Sequence, residues 1–91
     1  MTARIARHVL VTGAVQGVFF RDTLRRRAVG CGVTGWVRNR AEGSVEARLE
    51  GEPDAVAALV LWCRSGPPHA SVDDLVVTNV EVAGFDAFRV R

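Results

Sequence analysis

Apolar residues recur along this chain with two different periods, and the switches between them mark out its elements. Ile5 to Thr12 is rich in β-branched residues, with Val9 and Val11 alternating with His8 and Leu10, which predicts a strand. Phe20, Leu24 and Ala28 then recur at helical spacing, with the Arg25-Arg26-Arg27 block on the outer face. A helix from about Phe20 to Val29 is expected, stopped by Gly30 and Gly32. Thr34 to Arg38 and Val45 to Leu49 predict a pair of strands around a short turn of hairpin length, Arg40-Ala41-Glu42-Gly43. In the second of these, Val45, Ala47 and Leu49 are expected to face inward and Glu46, Arg48 and Glu50 outward. Pro53 suits a helix start, and Val56, Leu59, Val60 and Cys63 follow on one stripe until Ser65-Gly66-Pro67-Pro68 ends the helix. Leu75 and Val77 suit a fourth strand, and Phe88 with Val90 a short final one.

The resulting order is β-α-β-β-α-β. Right-handed crossovers applied twice to it give an α+β fold, a ferredoxin-like sandwich with an antiparallel sheet and two helices on one face. With 91 residues the chain reads as one domain, 1–91, large enough for a two-layer core. Apolar residues make up 48% of it, which excludes disorder.

Charge narrows the partners without naming one. The formal net charge is +2, and all the basic residues are arginine, a mild bias that suits a small anionic substrate. Arg4, Arg7 and His8 interrupt what would be an apolar signal core, and no run approaches transmembrane length. A cytoplasmic protein that contacts no membrane is expected. Cys31 and Cys63 fall near the C-terminal ends of two antiparallel helices, hence at opposite ends of the layer and beyond bridging reach. Both are expected as thiols.

The stretch Gly13-Ala-Val-Gln-Gly-Val-Phe-Phe-Arg21 joins the first strand to the first helix. Gly13 and Gly17 permit the positive φ values that let successive N–H groups converge on one point, and the helix dipole adds to the attraction for an anion. Arg21, in the first helical turn, can offer a planar fork to two phosphate oxygens. The loop lacks the Gly-Lys-Ser/Thr ending of a Walker loop and the three-glycine spacing of a dinucleotide site, so a nucleotide is not indicated.

A second segment, Gly35-Trp36-Val37-Arg38-Asn39 with trailing Gly43 and Gly51, completes a pattern. Gly13, Val15, Gln16, Gly17, Val18, Phe20 and Arg21 match Gly-x-Val-Gln-Gly-Val-x-Phe/Tyr-Arg, and Gly66, Pro67, Ala70 and Val72 match a later Gly-Pro-x-x-Ala-x-Val stretch. Over nearly its whole length the chain resembles the acylphosphatase family. The resemblance implies the ferredoxin-like fold, hydrolysis of small acyl phosphates, a phosphate-binding loop of Val15, Gln16, Gly17, Val18, Phe19 and Phe20, and catalytic roles for Arg21 in binding substrate and Asn39 in holding a water. It also implies inorganic phosphate as a product inhibitor, no cofactor and no metal, and a monomer. Some family members end in an aromatic residue, whereas Phe88-Arg89-Val90-Arg91 closes this sequence.

The residues themselves say what such a site can do. No cysteine, serine, aspartate or histidine lies within Val15 to Phe20, so water is the default nucleophile. Asn39 can accept from that water and donate to phosphate without becoming charged. No general acid is evident either, which bears on the leaving group. An alcohol departs as an alkoxide whose conjugate acid has a pKa of ~16, whereas a carboxylate's is ~4, a gap of roughly 16 kcal/mol in proton affinity. A carboxyl phosphate is therefore favoured over a phosphomonoester, and electrostatic stabilisation of a loose transition state can suffice for it.

Other residues are expected outside the chemistry. Asp22 would repel phosphate if it pointed inward, and Arg38 faces away from Asn39 by strand alternation. His8 and His69 stand apart from any cluster of ligand spacing, Trp36 is expected to pack on the open sheet face or site rim, and Trp62 to anchor a helix rim. The alternative is a noncatalytic ferredoxin-like module binding a phosphorylated ligand. An RNA-binding sheet would need stacking aromatics in Ile5–Thr12 and Val45–Leu49, which have none, so no nucleic acid is expected.

Overall fold

A computed structural model describes residues 3–91. The chain runs through β1 (Ile5–Ala14), α1 (Phe20–Gly30), β2 (Thr34–Asn39), β3 (Val45–Gly51), α2 (Pro53–Cys63), β4 (Ser71–Val80) and β5 (Phe88–Val90). The sheet order is β4-β1-β3-β2-β5. β1 pairs antiparallel with β3 and β4, and β2 antiparallel with β3, which gives the ferredoxin-like core. Short β5 then joins parallel to β2, through Gly35–Phe88 to Val37–Val90, so the complete sheet is mixed.

Period-2 alternation places Val9 and Val11 of β1, Val37 of β2, and Val45, Ala47 and Leu49 of β3 on one face. There they meet Phe20, Leu24 and Ala28 of α1 and Val56, Leu59 and Cys63 of α2 in a single buried cluster. Each fully buried valine, leucine or phenylalanine contributes about 1.5–3 kcal/mol relative to leaving it in water, so this cluster supplies the main driving force for closing the two layers.

The opposite face of the sheet departs from expectation. Glu46 and Glu50 do point away from the core, but into protein rather than solvent: Glu50 is fully buried and Glu46 nearly so. Residues 81–87 between β4 and β5 fold back over β3, and the Glu50 carboxylate accepts from the N–H of Ala83 at 2.9 Å and of Gly84 at 3.1 Å, and from Arg48 Nε at 2.9 Å. Arg48 in turn donates to the Glu81 carbonyl. Burial disfavours the charged carboxylate, but donation from Ala83, Arg48, Gly84 and Phe85 outweighs it and holds Glu50 below the usual carboxylate range.

Gly13 is a second correction. β1 continues to Ala14, so Gly13 lies inside the strand, at a register shift against β4, with φ 124°. A Cβ there would sit 2.3 Å from the Ser71 carbonyl oxygen. Its missing side chain serves the bulge that brings β1 and β4 together, and of the two glycines only Gly17, at φ 75°, lies within the connecting loop.

Candidate active site

The loop from Val15 to Phe19 opens where β1 ends and α1 begins. Phe19 takes up the position before the helix in the left-handed conformation, φ 65° and ψ 22°, unusual for a bulky side chain, and no side chain caps the helix. The first helical bond of α1 is Thr23 N–H to the Phe19 carbonyl, at 3.0 Å. Upstream of it, none of the N–H groups from Gln16 to Arg21 donates to a backbone carbonyl of the described residues. Unsatisfied donors at a helix entrance, with the dipole behind them, make an anion site.

Phe20 fixes the junction from below. Its ring is buried against Trp62, centroids 5.1 Å apart and planes tilted by 52°, and Gly66 lies so close that a Cβ there would come within 2.5 Å of the ring. Trp62 also receives Arg27 over its face at 5.1 Å. The first turn of α1 is thereby anchored to α2 and to the segment that follows it.

Beside the loop lies a cleft of about 220 Å³ lined by Val15, Gly17, Phe19, Phe20, Arg21, Asp22 and Asn39. Arg21 brings a buried Nε that has no hydrogen-bond partner among the described residues, a donor available to a ligand in the cleft. Asn39 reaches the cleft from the end of β2, on the same side of the sheet as buried Val37. The two residues, 18 apart in sequence, thus share one cavity.

Not every loop residue stands at the cleft. Gln16 and Val18 are absent from its lining. Val15 uses its N–H within the loop, donating to the Gly13 carbonyl at 3.1 Å, and its side chain is core. Asp22, which sequence reasoning left outside, lines the cleft and is exposed. Its place one residue after Arg21 in the first helical turn was the available signal.

On the far face of the sheet, Arg38 donates through Nε to Glu46 Oε1 at 2.6 Å, and His8 Nε2 lies 2.7 Å from Glu46 Oε2. Burial opposes ionisation of Glu46, but His8 and Arg38 prevail and hold its carboxyl below the usual range. Trp36 packs into this lattice, edge-on to His8 and beneath the guanidinium groups of Arg38 and Arg91 at 5.7 and 5.0 Å. Arg91 also donates its N–H to the Val37 carbonyl at 2.9 Å, so the last residue is pinned on this face. The thiols are both free: Cys31 is exposed, and burial pushes Cys63 up to about 12. Neither lines the cleft.

A two-layer α+β domain with a donor-rich loop, an arginine whose Nε is buried and an asparagine at one strand end defines the class, a small ferredoxin-like domain. The sequence model of the acylphosphatase family matches residues 7–90. An acylphosphatase of Thiobacillus denitrificans is 53% identical over 81 residues, 87% of this chain and 91% of the relative, and one of Haloquadratum walsbyi is 49% identical over 97% of this chain and 95% of the relative. The solved structure of an acylphosphatase from Coxiella burnetii superposes with a TM-score of 0.93 at 41% identity, covering 97% of this chain and 93% of that one. The chain belongs to the acylphosphatase family and is a hydrolase of that kind.

Proposed function

We propose that this protein hydrolyses the carboxyl–phosphate bond of small acyl phosphates, releasing a carboxylate and inorganic phosphate. The observation that carries the reading is the buried, unpartnered Nε of Arg21 in the cleft that also holds Asn39. A dianionic phosphate would satisfy that donor together with the free N–H groups of the loop.

In this mechanism the loop and Arg21 hold the phosphate and neutralise its equatorial oxygens. Asn39 orients a water in line with the departing carboxylate, accepting from the water through its amide oxygen and donating to phosphate through its amide nitrogen. A phosphate oxygen takes the water's proton, so no protein base is needed, and the carboxylate leaves without protonation. Asp22 at the rim is exposed and repels the phosphate it does not touch. The chemistry is proposed to need no metal or cofactor. Among the described residues no three His, Cys, Asp or Glu gather as ligands.

The same reading makes inorganic phosphate a competitive product inhibitor and the protein a cytoplasmic monomer that binds neither membrane nor nucleic acid. None of the described helices is long and apolar enough to cross a membrane, and the unpaired edge strand β4 carries Asp73 and Asp74, charges of the kind that discourage edge-to-edge pairing. The test is hydrolysis of benzoyl phosphate in EDTA, beside a phosphomonoester control and the Arg21→Ala protein. Turnover of the acyl phosphate alone, lost in the variant, is the expected result. Phosphate binding without turnover would leave the noncatalytic phosphoryl-ligand module in its place.

A further inference from the structure

Gln16 sits in the loop, yet its side chain turns away from the cleft. Its amide nitrogen donates to two carbonyls of the β2–β3 turn, Arg40 at 2.7 Å and Ser44 at 2.9 Å. Those carbonyls close the turn that begins one residue after Asn39. Arg40 N–H donates to the same Ser44 carbonyl at 2.8 Å, and Gly43 N–H to the Arg40 carbonyl at 3.1 Å. Ser44 Oγ donates to Glu42 at 2.6 Å, and Arg40 Nε pairs with that carboxylate at 2.9 Å. The turn is therefore stiff, and Gln16 grips it with both of its amide protons. Among the described residues, these two hydrogen bonds are the ones that join the loop 15–19 to the segment 39–44.

We infer that Gln16 is a positioning residue, a strap that sets the separation between the anion cradle and the Asn39 amide. This rests on the acyl-phosphate reading of the site. The loop and Arg21 fix where phosphorus sits, and β2 fixes where Asn39 sits, but Arg21 and Asn39 stand 18 residues apart in sequence and on different elements. Without a cross-link their spacing would follow the fluctuations of an irregular loop. In-line attack tolerates little of that: a misplacement of about 1 Å costs roughly 10²-fold. A glutamine is the fitting side chain here, because a single primary amide nitrogen offers two protons to two acceptors and carries no charge into a site meant for an anion.

Gln16→Met keeps the length and removes both donors. It is expected to lower kcat by roughly 10- to 100-fold while inhibition by inorganic phosphate changes by less than about threefold, since the cradle itself is intact. Gln16→Glu separates a donor requirement from mere bulk. Its ionised carboxylate faces two carbonyl oxygens, whereas the protonated acid can donate to one of them. Its kcat, relative to the parent protein at each pH, should recover as pH falls through that carboxyl's pKa, and the methionine variant should show no such recovery. Equal loss of kcat and of phosphate affinity in both variants, or a methionine variant with parental kcat, would overturn the strap.

A readout independent of turnover accompanies these. Phosphate titration should shift the side-chain amide resonances of Asn39 in the parent protein, and the response should shrink in Gln16→Met. If the parent protein turns over no acyl phosphate yet shows this coupled response, the catalytic reading fails and the strap stands. If turnover is present and the response is identical in both proteins, the strap fails alone. Should Gln16→Met not fold, Gln16→Glu below and above its pKa carries the same comparison.

Discussion

Glu46 accepts from Arg38 Nε at 2.6 Å, across the face of the sheet opposite the helices, and this contact draws the guanidinium next to Asn39 away from the cleft. Adjacent residues on a strand point to opposite faces, so the pair Arg38–Asn39 divides between a structural lattice and a site. The nearness of a basic residue in sequence is therefore no measure of its part in the chemistry.

Arg38→Met should leave kcat and KM for benzoyl phosphate within about twofold of the parent values, because His8 and Arg40 still face Glu46 and nothing at the cleft changes. Steady-state kinetics decide it. A large fall in kcat/KM would mean that Arg38 steers or holds the substrate after all.

Asn39→Ala should lower turnover by roughly 10²-fold or more, the scale of losing one preorganised group, with phosphate inhibition nearly intact. Arg21→Ala, by contrast, should weaken phosphate inhibition and rate together. Full activity in Asn39→Ala would end the water-positioning role.

Asp22 is the one acidic residue lining the cleft. Asp22→Asn removes a like charge worth about 1 kcal/mol at a few Å in water, which should tighten inhibition by inorganic phosphate about fivefold. Unchanged inhibition at low ionic strength would show that solvent screens Asp22 from the bound anion.

Glu50 links the sheet to pH. Its folded pKa is depressed, so its contribution is complete above the ordinary carboxylate range, ~4.3, and is lost as pH falls from there through the lower folded value. Glu50→Gln should destabilise the protein at neutral pH by about 1.5–3 kcal/mol, the scale of one hydrogen bond to a charged group, and by less in acid. Denaturant melts at pH 7 and pH 3 measure the difference.

Cys31 should react with a thiol reagent in the native protein, and Cys63 only on unfolding, since burial both shields it and suppresses its thiolate. Reagent titration with and without denaturant counts the two classes. A fast second thiol in the native state would show α2 opening locally.

Much of the fold was legible because its signals are local. Phe20, Leu24 and Ala28 give a helical stripe, Val45, Ala47 and Leu49 a strand, and the order of elements with right-handed crossovers leaves one simple topology. The loop's backbone geometry was equally local, since Gly17 and the helix start leave N–H groups without backbone partners.

The rest depended on pairings between distant positions. Alternation told that Glu50 leaves the core face, but only the return of residues 81–87 over β3 decided that it meets N–H groups instead of water. Gly13 was read as loop because its positive φ suits one. The approach of Ser71 from β4 made it a strand bulge.

The sequence by itself determined the two-layer architecture and the strand-to-helix loop after β1, and it named the two residues on which the chemistry is proposed to rest, because spacing and residue type encode local backbone geometry. Only the tertiary structure decided that Arg21 and Asn39 open onto one cleft, that Asp22 joins them, and that Gln16 bridges to Arg40 and Ser44. Such relations are set by where β2 and β3 settle against the loop, a outcome of the packing of the whole core that no short stretch of chain contains.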